Sequence, residues 1–319
     1  MNPEIILTLK SLLLFSLGTL ILYYSSESII NNSIVVAKKY NISKLFVGVV
    51  ILALGTSLPE LFVSIISSIK GNYSLAIGNI VGSNIANIGL VFGISLVLKS
   101  IIFKSSSKDS IFNLCMLLAS SLLIVFLLRD NFLMRFEGLF LLFLCLSYFI
   151  VLIKYFSKDA LSDKGDGNQN SFKAFSFLLI NFLMLYLGSE LFVNGALGIA
   201  RIIGLKDLIV GMTIVSLGTS APEIFTTISA YRRKESNLII GNIIGSNIIN
   251  ILLVGGTLGL ISNVQVNFHE MFYHNSILLS LTLLFIIVVV FLKKIGRFFG
   301  IIFISIYFIF IYLNFIIAN

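Results

Sequence analysis

Two glutamates, Glu60 and Glu223, sit in stretches almost free of other charges, and the same short sequence precedes each. Gly55-Thr56-Ser57-Leu58-Pro59-Glu60 returns as Gly218-Thr219-Ser220-Ala221-Pro222-Glu223, 163 residues later. At the same offset, Gly78-Asn79-Ile80-Val81-Gly82-Ser83-Asn84-Ile85-Ala86-Asn87 returns as Gly241-Asn242-Ile243-Ile244-Gly245-Ser246-Asn247-Ile248-Ile249-Asn250. On a helix, Thr56 and Ser57 stand four and three residues before Glu60, so their hydroxyls share its face. Ser83 and Asn87 are spaced by four on the next segment, and Thr219, Ser220, Glu223, Ser246 and Asn250 repeat the set. Pro59 and Pro222 each remove a backbone donor where Gly55 and Gly218 already weaken the helix, so carbonyls near Ala53 and Ser216 are expected to come free. The donor set is then all oxygen, with no His or Cys. Such a set suits a hard cation: calcium takes about six to eight oxygens, whereas zinc and copper favour imidazole or thiolate. Two carboxylates balance one divalent charge, and several Na⁺ ions could use the same oxygens. Competition of two cations for one site is a physical basis for exchange.

The elements that must hold these residues follow from composition. The chain of 319 residues is 58% hydrophobic and 11% charged, with a mean hydropathy of +1.06. A soluble domain of this size could not hide that much apolar surface, so the chain reads as an all-α polytopic membrane protein. The apolar runs have the length of spanning helices, about 20 residues for a hydrocarbon core of roughly 30 Å. The short alternating segments of an outer-membrane barrel are missing. Ten spans are expected near residues 5–30, 45–69, 74–98, 110–128, 133–154, 173–200, 208–230, 237–262, 271–292 and 298–318. A polar linker at 157–171 separates a first five-helix repeat (1–156) from a second (172–319). Met1–Lys10 has no basic stretch and no cleavage site follows, so the first span is expected to be retained.

Basic residues orient the spans. With the N-terminus outside, the inner loops receive Lys38, Lys39 and Lys44, then Lys99, Lys104 and Lys108, then Lys154, Lys158, Lys164 and Lys173. They also receive Arg232, Arg233 and Lys234, then Lys293, Lys294 and Arg297, which makes sixteen of the 22 Lys and Arg. That bias predicts a multi-pass protein of the cell (inner) membrane with both termini outside. It also accounts for the net charge of +8 without a nucleic-acid partner. Five spans per copy force the two copies to enter the membrane from opposite sides, an inverted repeat whose carboxylates meet near mid-bilayer.

The paired Gly-Thr-Ser-(Leu/Ala)-Pro-Glu and Gly-Asn-Ile-(Val/Ile)-Gly-Ser-Asn-Ile-x-Asn segments resemble the two α-repeats of the sodium/calcium exchangers, in the cation/Ca²⁺ exchanger superfamily, prokaryotic type. The resemblance covers nearly the whole chain. It implies an antiporter that exchanges Na⁺ for Ca²⁺ by alternating access, with no cofactor, working as a monomer in the lipid bilayer. Glu60 and Glu223 would be the central ligands shared by Ca²⁺ and Na⁺. Thr56, Ser57, Thr219 and Ser220 would serve flanking Na⁺ sites, completed by Ser83 and Ser246. Ala53 and Ser216 would offer carbonyls, and Asn87 and Asn250 would line the centre. Some members carry Asp where this chain has Asn250, which removes one ionisable group here. The alternative within the superfamily is an exchanger that depends on H⁺ or K⁺, or moves another divalent ion. An intramembrane enzyme has no candidate residues: there is no His-Glu-x-x-His and no adapted Ser/Lys or Asp/Asp pair.

The remaining polar residues have simpler readings. Gly78, Gly82, Gly241 and Gly245 are expected to let helices approach closely. Asn79, Asn84, Asn242 and Asn247 read as hydrogen-bonding links between helices, outside the site. Glu27 and Glu190 align at the same offset and are expected to be structural or interfacial. Cys115 and Cys145 have no ligand spacing and read as packing residues.

Overall fold

Two helices that are apolar on every side form the centre of the molecule, as their sequences require. They are α4 (Tyr73–Leu98) and α10 (Ser236–Ile261), and Ile77, Ile80, Ile85, Phe92, Ile243, Ile244, Ile248 and Ile251 on them are fully buried. The computed structural model describes residues 3–40, 42–71, 73–98, 100–102, 108–156, 171–202, 216–266, 268–292 and 294–317. Around the central pair stand α1 (Pro3–Tyr40), α2 (Lys44–Thr56), α3 (Leu58–Ile69), α5 (Lys108–Asp130) and α6 (Arg135–Tyr155). The second half supplies α7 (Ser171–Ile202), α8 (Ser216–Thr219), α9 (Ala221–Arg232), α11 (Phe268–Phe291) and α12 (Arg297–Ile317). These outer helices turn large apolar side chains outward. Leu13, Phe143, Ile153, Ile180, Ile287 and Ile309 are all more than half exposed, the surface a hydrocarbon solvent covers.

Among the described residues, eight helices are long and apolar enough to cross a membrane, and α2 with α3 makes a ninth crossing bent by 40°. The linker expected at 157–171, apart from Ser171, and the first part of the span expected at 208–230 lie outside the described residues. One expectation needs correction. The first span does not end near residue 30 but continues as helix to Tyr40. No Gly or Pro interrupts 31–40, and Asn32 returns its amide to the Ser28 carbonyl at 2.7 Å, so nothing stops the helix earlier. Lys38 and Lys39 therefore occupy its last turn, where cations suit the helix dipole, rather than a loop.

Two short strand pairs accompany the helices. β1 (Ile101–Ile102) pairs antiparallel with β4 (Lys294–Ile295), and β2 (Phe132–Leu133) pairs antiparallel with β3 (Val264–Gln265). Each pair joins the first half to the second. Two residues per strand are too few to show as a period in the sequence.

Close approach of the halves relies on glycine. A Cβ at Gly245 would run into the Val49 carbonyl, and one at Gly241 would lie 2.6 Å from the Leu45 carbonyl. These two glycines let the backbone of α10 lie directly on α2. Gly82 faces the Ser216 side chain at ordinary contact distance. Gly78 meets nothing within 4 Å among the described residues.

Candidate cation site

The helix breaks at the residue expected from the prolines. Ser57 (φ −84°, ψ 5°) separates α2 from α3, and Ser220 (φ −83°, ψ 4°) separates α8 from α9. Each break places Pro at the start of the next helix, where its missing N–H costs nothing, and Glu60 or Glu223 in that helix's first turn. A second irregularity recurs at offset 163. α4 and α10 widen into π-helical turns at Asn87–Phe92 and Asn250–Gly255, each opening on an asparagine. Extra residues in one helical turn re-aim side chains and often mark functional positions.

These elements bring together the side chains of Thr56, Ser57, Glu60, Ser83, Thr219, Ser220, Glu223 and Ser246. Thr56, Ser57, Glu60, Ser83, Asn87, Ser216, Thr219, Ser220, Glu223, Ser246 and Asn250 are all buried, and the two glutamates are wholly shielded from solvent. Some contacts cross between the halves and others stay within one, and they repeat under the offset. Ser220 Oγ donates to Glu60 Oε1 at 3.4 Å, while the hydroxyls of Ser57 and Thr56 lie beside the Glu223 carboxylate. Ser246 Oγ donates to Glu223 Oε1 at 3.2 Å, and Ser83 lies beside Glu60. The Ser83 and Thr219 hydroxyls are 3.3 Å apart, as are those of Thr56 and Ser246. Asn84, which donates to the carbonyl of Asn247 at 3.2 Å, touches its own sequence equivalent.

The geometry corrects one step of the sequence argument. The Ala53 carbonyl is not freed: it accepts from the Ser57 amide at 3.0 Å. Likewise the Ser216 carbonyl accepts from the Ser220 amide at 3.1 Å and from Thr219 Oγ1 at 3.2 Å. A proline at position i removes the donor to i−4, and for Pro59 and Pro222 those carbonyls belong to Gly55 and Gly218. The Ala53 carbonyl can still offer a second lone pair to a cation, whereas both lone pairs of the Ser216 carbonyl are taken.

Asn79 and Asn242 link helices as expected, and each does so through a threonine beside the glutamates. Thr219 Oγ1 donates to Asn79 Oδ1 at 3.1 Å, and Thr56 Oγ1 donates to Asn242 Oδ1 at 3.3 Å. Asn79 also donates to the Glu60 carbonyl at 3.2 Å and to Ser64 Oγ at 3.0 Å. The shared i, i+4 spacing of Asn79 with Ser83, and of Asn242 with Ser246, could have signalled this. Glu27 is peripheral, as expected. Its carboxylate lies 3.0 Å from Arg233 and 3.8 Å from Arg232. Cys145 is buried and Cys115 exposed, both as free thiols.

What the arrangement can do follows from what is left over. Glu60 Oε2, Glu223 Oε2, Ser57 Oγ and both amide atoms of Asn87 and Asn250 are buried without a hydrogen-bond partner among the described residues. Native interiors rarely tolerate such groups, and an isolated buried carboxylate is costlier still. Glu60 and Glu223 lie close enough to act on one another, with Ser57 beside Glu223. Their chemistry fits hard cations, which would satisfy the oxygens and offset the two negative charges.

Comparison with known proteins agrees with this chemistry. The family model described as sodium/calcium exchanger protein matches residues 10–154 and 173–316. The chain is 33% identical over 298 residues to a membrane protein of Methanocaldococcus jannaschii, covering 92% of this chain and 95% of that one. It is 30% identical over 327 residues to the sodium/calcium exchanger MaX1 of Methanosarcina acetivorans, covering 86% and 90% of the two chains. Among solved structures, the sodium-calcium exchanger NCX_Mj soaked with 10 mM Na⁺ and 10 mM Sr²⁺ superposes with a TM-score of 0.83. The two are 31% identical, with 95% of this chain and 97% of that chain covered.

Proposed function

The chain belongs to the sodium/calcium exchanger family, and on that premise we propose that it moves Ca²⁺ against Na⁺ by alternating access at a site between Glu60 and Glu223. It is a membrane exchanger and not an enzyme. The observation that carries the ion reading is the cluster of buried oxygens without partners around two facing carboxylates. One Ca²⁺ neutralises both charges; Na⁺ ions spread over the same oxygens and the flanking hydroxyls do so too. Because either load satisfies the site and the empty site is left charged, the exchanger turns over only when loaded, which couples the two fluxes. Ala53, Thr56, Ser57, Ser83, Asn87, Ser216, Thr219, Ser220, Ser246 and Asn250 complete the ligand set. We read the architecture as ten helices in two inverted five-helix repeats, functional as a monomer. The bond from Asn84 to its sequence equivalent Asn247 supports this reading.

The deciding experiment is ⁴⁵Ca²⁺ uptake into Na⁺-loaded proteoliposomes. An outward Na⁺ gradient is expected to drive uptake, and a pH gradient imposed without Na⁺ is not. Uptake that follows the pH gradient and ignores Na⁺ would give the role to protons instead. A requirement for K⁺ on the Ca²⁺ side would point to the potassium-dependent branch of the superfamily.

Orientation has its own test. With both termini outside, single cysteines replacing Lys39 and Lys234 are expected to be shielded from an impermeant thiol reagent added to intact cells. One replacing Gly71 is expected to react. All three positions are exposed in the fold, so a reversed labelling pattern means a reversed orientation.

A further inference from the structure

The carbonyl that Pro222 leaves without a helical donor is that of Gly218, and it is not left bare. Ser189 Oγ, from α7, donates to it at 2.8 Å, and Ser189 is only 2% exposed. This bond lies beside the break at Ser220, one residue before Thr219 and five before Glu223. Pro59 leaves Gly55 in the same position in the first half, and the residue equivalent to Ser189 at offset 163 is Ser26 of α1. Ser26 does not repeat the bond. Its hydroxyl donates to the Tyr23 carbonyl at 2.8 Å and lies 3.0 Å from Ser229 Oγ. Gly55 instead packs against the ring of Phe182, so α7 lies on both breaks.

The neighbouring residues show the same inequality. Glu27 faces Arg233 and Arg232, whereas its equivalent Glu190 is exposed without a partner among the described residues. Lys70, the equivalent of Arg233, is likewise exposed and unpaired among them. Equivalent side chains making unequal bonds around a symmetric site are the mark of one of two alternative arrangements. Exchanging the roles of the halves gives the other at little net change in bonding.

We propose that Ser189 is a positioning residue for the cation site, which fixes the break before Thr219 and Glu223 while the site serves one membrane face. Ser26 takes the corresponding place at Gly55 when the site serves the other face. The inference rests on the alternating-access reading above. Without Ser189, a buried carbonyl next to the ligand segment loses its donor in one state only, and a buried acceptor without a donor is costly.

The test compares right-side-out and inside-out membrane vesicles from cells expressing the full chain. The readout is the Ca²⁺ concentration giving half-maximal exchange on each face. S189A is expected to raise it roughly tenfold on one face, equivalent to about 1.4 kcal/mol, and to leave the other face near the parent value. S26A is expected to do the same on the opposite face, and S189T, which keeps the hydroxyl, to behave like the parent. A merely structural serine would shift both faces together. The proposal fails if S189A matches the parent, if either variant shifts both faces equally, or if S189T is as impaired as S189A. Should S189A not insert, S26A decides alone: a shift on one face supports the proposal, and no shift or a shift on both overturns it. If exchange in the parent proves to run on protons, the same comparison is made under a pH gradient, so failure of the Na⁺ reading is seen separately.

Discussion

Glu60→Gln and Glu223→Gln are each expected to abolish Ca²⁺ exchange while the protein still inserts and purifies as a single species. The amide keeps the size and shape of the side chain, and Ser220 and Ser246 can still donate to the remaining carbonyl oxygen. What goes is one of the two charges that offset Ca²⁺ in a fully buried site. Removing one partner from a buried charge set costs about 3–5 kcal/mol, which corresponds to a loss of more than about a hundredfold in affinity. Because the two glutamates occupy equivalent places, the losses should be comparable. Sparing of either one would mean that the centre lies elsewhere. Cys115→Ala, at an exposed position far from these contacts, is the matched control and should exchange like the parent. The measurement is ⁴⁵Ca²⁺ flux per inserted protein, with insertion scored by gel filtration in detergent.

Much of this site was legible because the chain writes it twice. An apolar sequence that repeats its few polar residues at one offset marks its candidate ligands without a structure, and all eleven named side chains are buried. Individual bonds were not legible. Placing the freed carbonyls at Ala53 and Ser216 followed from counting a turn back from the proline. Helical bonding continues through those residues, and the carbonyls that lose their amides are those of Gly55 and Gly218. The partners of Asn79 and Asn242 were also hidden. A single sequence does not say which neighbouring helix an amide meets, and each of these meets a threonine of the opposite half. The length of α1 was misjudged for a different reason. Polar residues at 31–33 look like a loop by composition, yet a helix ends only where a breaker or a cap ends it.

The departure at Asn250 carries the second large effect. Asn87 and Asn250 open equivalent π-helical turns, both are fully buried, and all four of their amide atoms lack partners among the described residues. With asparagine at both places, only Glu60 and Glu223 can bear charge at the centre. Protons and Ca²⁺ then compete for the same two carboxylates, since a carboxyl that holds a proton no longer offsets the ion. Exchange by the parent is therefore expected to decline as pH falls and to recover as it rises. Asn250→Asp adds a third acid against the first two with almost no change in shape. The empty site would then hold an additional negative charge, which a further cation or a proton must neutralise before the helices can rearrange around it. Inhibition by protons should consequently reach to higher pH than in the parent, and the preference between Ca²⁺ and Na⁺ should shift as well. The check is a set of Ca²⁺ uptake curves over pH at fixed Na⁺ gradient for both proteins. Coincident curves with unchanged ion preference would place Asn250 outside the cation path, and its unpartnered amide would then need a different explanation, such as an ordered water.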